Sequence, residues 1–111
     1  MICRLAKTSE IKANTWYEYT LETDSGLQSV MLINKDDQFL AYLNSCPHQG
    51  RRLDFAPGEF LTDQDGHIIC PAHGAEFRSD DGFCISGPCQ GQSLLSVHVQ
   101  VNEETVFVVV Q

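Results

Sequence analysis

The sequence predicts an all-β fold: a small antiparallel sandwich or barrel that serves as the base for an inserted, loop-rich subdomain. Three observations predict it. Short β-rich runs recur between turn residues on both flanks of the chain. No long stretch sets apolar side chains at helical spacing between recognisable caps, which limits helix to a turn or two. The middle of the chain concentrates Gly, Pro, Cys and His and lacks continuous apolar surface. At 111 residues and 12.4 kDa, the whole chain, 1–111, is expected to form one domain with a single small architecture.

The N-terminal residues Met1-Ile2-Cys3-Arg4-Leu5-Ala6-Lys7 give way at once to polar ones. They read as neither a signal-peptide apolar region nor a membrane anchor, and a cytoplasmic location is expected. Strand-like runs follow at residues 15–21, 29–33 and 39–43, and again at 94–101 and 105–110. In the fourth of these, Val97-His98-Val99-Gln100-Val101, period-two alternation sends the valines inward and His98 outward with Gln100. Acidic residues cluster at the apparent turns, as Asp36-Asp37, Asp63 and Asp65, Asp80-Asp81 and Glu103-Glu104. Solvated loop charge explains them.

Fifteen acidic against seven basic side chains give a formal charge of -8. A phosphate backbone or an anionic lipid surface would be repelled, so neither nucleic acid nor membrane is expected as a partner; a protein with a basic docking surface is. Five cysteines are an odd number in a chain without an export signal. That argues against a disulfide framework and for metal ligation alongside reduced thiols.

The central segment, 44–90, carries turn signals at Pro57-Gly58, Asp65-Gly66, Asp81-Gly82 and Gly87-Pro88. With little apolar area of its own, it needs another restraint, and a metal centre that ties distant loops together supplies one. Two loops carry the candidate ligands: Cys46-Pro47-His48-Gln49-Gly50 and Cys70-Pro71-Ala72-His73-Gly74. Each holds one thiol, one imidazole, a proline after the cysteine and a glycine that lets backbone amides approach closely. Four such ligands could hold one tetrahedral zinc, but zinc sites usually pair cysteine with cysteine and histidine with histidine. Loops that mix the two suit a dinuclear cluster, with both cysteines on one iron and both histidines on the other.

This arrangement, C-x-H followed by C-x-x-H, resembles the Rieske [2Fe-2S] family. The resemblance implies one [2Fe-2S] cluster held by Cys46, His48, Cys70 and His73, with the electron residing on the histidine-bound iron. Two neutral imidazoles favour the ferrous state, so such centres lie at roughly -150 to +300 mV. High-potential relatives carry an extra cysteine in each loop, joined as a disulfide; the matching positions here are Arg51 and Ala72. They also place serine and tyrosine hydroxyls against cluster sulfurs, where this chain has Ala75 and Phe77. Missing donors lower the potential, so a ferredoxin-like centre near roughly -150 mV is expected. The connection over positions 49–69 is longer than in most Rieske ferredoxins of ring-hydroxylating oxygenases. Gly87-Pro88 resembles the family's proline loop over the cluster, and Leu53 could shield it.

The function implied is one-electron transfer between a reductase and a terminal oxidoreductase or oxygenase, without bond chemistry on this chain. About 20 residues follow the central segment, too few for a mononuclear iron domain, and no Gly-rich nucleotide fingerprint occurs. Alternatives are a small subunit like that of assimilatory NADH nitrite reductase and a redox or iron sensor. Cys84 and Cys89 flank the proline loop and are expected as reduced thiols; Cys3 is expected to be incidental. His67 could replace His73 in principle, but it follows a turn and leads Ile68-Ile69 as a strand would.

Overall fold

The computed structural model describes residues 1–47 and 50–110. Its elements, in chain order, are β1 (Ile2–Lys7), a 3-10 turn (Thr8–Glu10), β2 (Trp16–Thr23), β3 (Gly26–Lys35), β4 (Gln38–Leu43), β5 (Asp54–Ala56), β6 (Glu59–Thr62), β7 (Ile68–Ile69), β8 (Glu76–Phe77), β9 (Cys84–Ser86), β10 (Ser96–Asn102) and β11 (Thr105–Val109). Six strands form one antiparallel sheet in the order β1-β11-β10-β4-β3-β2, and the five short ones form a second sheet, β5-β6-β7-β8-β9. The fold is all-β, with an inserted subdomain on a larger sheet.

The five expected flank strands are present. β1 was not anticipated: it pairs with β11 through a bulge between Arg4 and Ala6, and it buries Leu5 and Ala6. Its alternation is broken by that bulge, which hides the period-two signal. The central segment, expected as loops, contains five strands of two to four residues, too short to show a period.

β3 sets the architecture. Its run Val30-Met31-Leu32-Ile33 is fully buried, because both faces of the sheet are covered. Val30 and Leu32 join Leu5, Ile11, Leu21, Ala41, Val106 and Val108 in one core. Met31 and Ile33 point the other way and join Trp16, Tyr42 and the side chains of the subdomain in a second core. β10 follows the predicted alternation at Val97, His98 and Val99, with His98 exposed. Val101 departs from it and is 51% exposed, because it lies one pair from the β10–β11 turn, past the end of the pairing with β4.

Two acidic pairs do more than solvate turns. Asp36 and Asp37 have φ of 53° and 65°, and Glu103 and Glu104 have φ of 50° and 64°. Both pairs form two-residue hairpin turns with left-handed central residues, the type I′ geometry that matches the twist of the flanking strands.

Candidate metal centre

The two predicted ligand loops close in the same way. The first leaves β4 and the second leaves β7, and each begins at a cysteine. The Cys46 amide donates to the Arg51 carbonyl at 2.7 Å, and the Gly50 amide donates back to the Cys46 carbonyl at 2.7 Å. In the second loop the Cys70 amide donates to Ala75 at 2.7 Å, and the Gly74 amide donates to Cys70 at 2.9 Å. Gly50 and Gly74 occupy the left-handed region at φ 69° and 74°, which explains the glycine after each histidine. Two unrelated stretches of sequence thus form one repeated scaffold.

The cysteines lie inside and the imidazole outside. Cys46 and Cys70 are each 1% exposed and share one core with Leu53, Ile68, Ala75 and Phe77. His73 is exposed at the loop tip. His48 and Gln49 lie outside the described residues. Among sequence-predicted ligands, then, the two thiols are brought into a common dry core, and His73 sits at its rim.

A third loop, after β9, packs against both others. Gly87 lies so close to the second loop that a Cβ there would meet the Ala75 Cα at 2.7 Å. Cys89 makes a hydrogen-bonding contact with Cys46 of the first. The Cys84 and Cys89 sulfurs are 3.2 Å apart, far beyond the roughly 2.05 Å of a disulfide, so both are free thiols as expected. Burial, then the sulfur neighbours Cys84 and Cys46, push the Cys89 thiol up to about 12. The Gly87-Pro88 segment therefore does flank the ligand loops, and Leu53 is fully buried beside the thiols.

Comparison with known proteins gives this arrangement its family: the model of the Rieske [2Fe-2S] domain matches residues 2–109. The chain belongs to the Rieske family. Rieske domains bind one [2Fe-2S] cluster, and the donor set here fits it, since buried thiols with imidazole at the rim are the mixed sulfur and nitrogen ligation such a cluster needs. A structure titled the ferredoxin of carbazole 1,9a-dioxygenase from Nocardioides aromaticivorans IC177 superposes with a TM-score of 0.74 at 21% identity, covering 100% of this chain and 99% of that one. A chain in a complex of reduced oxygenase and oxidized ferredoxin in carbazole 1,9a-dioxygenase matches at TM-score 0.73 and 25% identity, over 96% of this chain and 99% of that one. The terminal oxygenase of carbazole 1,9a-dioxygenase from Novosphingobium sp. KA1 matches at TM-score 0.78 and 21% identity, over 98% of this chain but 29% of its own. The Rieske fold is thus shared by ferredoxin and oxygenase chains. No curated protein matches the sequence.

Sequence reasoning missed the residues that brace the first Rieske loop. Asn44, buried two positions before Cys46, accepts from the Leu53 amide at 2.6 Å and donates to Asp54 Oδ1 at 2.9 Å, so one side chain joins the two ends of the loop. Arg52 grips the Asp54 carboxylate through Nε at 2.9 Å and a terminal nitrogen at 2.8 Å. Burial alone would raise the Asp54 carboxyl, but hydrogen bonds from Arg52, Asn44 and the Gly58 amide override it and hold it at about 2. An Asn-to-Asp spacing across a Cys-x-His motif was the available signal, but ordinary loop composition masks it.

His67 is committed elsewhere: its Nδ1 lies 3.0 Å from Asp63 and 3.9 Å from Glu76, on the approach to β7. His98 is exposed on β10, and Cys3 is half-buried on β1. Among the described residues no helix is long and apolar enough to cross a membrane.

Proposed function

We propose that Cys46, His48, Cys70 and His73 hold one [2Fe-2S] cluster, and that the chain works as a ferredoxin-like one-electron carrier between a reductase and a terminal oxidoreductase or oxygenase. The observation that carries this is the repeated loop: two stretches, each with one thiol and one imidazole, closed by the same two backbone hydrogen bonds, with both thiols in one core. When bound, the cluster takes up one electron and gives it back. The protein's own residues do the rest. Cys46 and Cys70 anchor the inner side out of reach of water, and Leu53, Ile68 and Phe77 keep that side apolar. His73 puts the outer side at the surface, where a partner can approach. Ala75 and Phe77 are buried and carry no hydroxyl, which supports a low potential within the Rieske range.

Two comparisons favour a free-standing carrier: a ferredoxin of nearly the same length, and a ferredoxin–oxygenase complex whose matched chain is spanned almost entirely. The single domain 1–111, with its cluster-binding part over 44–90, suits a protein that acts by docking. The acidic excess, fifteen to seven, suits a basic docking face on reductase and acceptor. Anaerobic purification with iron and sulfide analysis, and EPR before and after dithionite, tests the reading. Two irons and two sulfides per chain with a signal of mixed nitrogen and sulfur ligation are expected; one zinc and no signal would refute it.

A further inference from the structure

The third loop brings a third buried sulfur to the ligand loops. Cys89, 2% exposed on the segment after Gly87-Pro88, contacts Cys46 on one side and lies 3.2 Å from Cys84 on the other. Cys84 directs its own proton to the Ser86 carbonyl at 3.1 Å, so its sulfur faces Cys89 as an acceptor. Cys89 has a single proton to place, on Cys84 or on Cys46. A neutral thiol is the weaker acceptor, and a ligand thiolate the stronger, because charge-assisted hydrogen bonds are about twice as strong as neutral ones. We propose that Cys89 is a positioning residue of the centre, whose thiol donates a hydrogen bond to the Cys46 sulfur and thereby sets the reduction potential.

The inference rests on the ligand reading above and deepens it. A donor at a ligand sulfur stabilises the more negative, reduced state. It acts where Ala75 and Phe77 offer no hydroxyl, so Cys89 is the side-chain donor that the third loop adds. The loop is held in register for this by the Gly87 approach to Ala75, which leaves no room for a Cβ.

Midpoint potentials of the purified holoproteins test it. Cys89→Ala is expected to lower the equilibrium constant for reduction about fivefold, a shift of ~40 mV for a one-electron couple. Cys89→Ser, with a stronger donor of similar size, is expected to restore or exceed the wild-type potential. Cys84→Ala, which removes an equally buried thiol whose proton is engaged elsewhere, is expected to leave it within error. Equal shifts in Cys84→Ala and Cys89→Ala would mean general packing and would overturn the proposal, as would a Cys89→Ala potential equal to wild type. Should Cys89→Ala not take up its cluster, a Cys89→Ser potential below wild type overturns the proposal, and one at or above it supports it. Wild-type protein with no cluster signal would instead sink the ligand reading, and the inference with it.

Discussion

Asn44 ties the two ends of the Cys46 loop together through Leu53 and Asp54 and also anchors them to Ser29 on β3, which makes it the most informative single position outside the proposed ligands. Asn44→Ala would leave the buried Leu53 amide without an acceptor, at a cost of about 2–3 kcal/mol, read as a lower unfolding midpoint in urea and less iron per chain. Its neighbour Asp54 gives the loop an acid limit. The folded carboxyl titrates at about 2, below the ~3.9 of an unfolded chain, so its contribution is complete above that unfolded value and is lost as pH falls toward 2. With Arg52 half exposed, the contribution is about 1–2 kcal/mol after screening. Unfolding measured from pH 5 to 2 should show this loss, and Asp54→Asn should flatten it. The candidate ligands Cys46, Cys70 and His73 stand out in the sequence because metal chemistry dictates such spacing; Asn44 and Asp54 do not, because a brace is defined by which amide it meets, and only the folded loop reveals that.

Hairpins and loops show the same division. Strands β2, β3, β4, β10 and β11 carry enough alternating or apolar residues to be read directly, whereas β5 to β9 are held by neighbours rather than by their own pattern. The left-handed residues of the acidic turns store strain that glycine would not. Asp37→Gly is expected to stabilise the β3–β4 hairpin by about 1 kcal/mol, seen as a higher Tm, since φ of 65° costs a non-glycine residue about that much. Gly87→Ala acts in the opposite direction. At φ 95°, with the Ala75 backbone in the way, it is expected to cost about 1–3 kcal/mol and to loosen the third loop, checked by iron content and Tm. Neither glycine geometry nor turn handedness is written in composition, because Gly-Pro and Asp-Asp permit several turns.

Across the whole protein, the two sheets and the ligand loops are linked by the second core, in which Cys46 and Cys70 pack with Trp16, Met31, Ile33 and Tyr42. Removing iron is therefore expected to lower the melting temperature of the entire chain in a single calorimetric transition, rather than melting residues 44–90 alone. The charge of -8 belongs to this level too: affinity for a basic redox partner should fall as ionic strength rises, measured by titration at increasing salt. The all-β class could be foreseen from periodicity and the inserted subdomain from its concentration of Gly, Pro, Cys and His; the double burial of β3, which joins the two sheets, shows in sequence only as four apolar residues in a row.

That strand has a consequence for how damage at the centre would be felt. Val30 and Leu32 face one core while Met31 and Ile33 face the other, so an opening of the ligand loops withdraws support from one side of a ribbon whose opposite side holds Val106 and Val108. Slow amide exchange at those distant valines would quicken on demetallation, and the far end of the molecule would act as a reporter of whether its iron is in place.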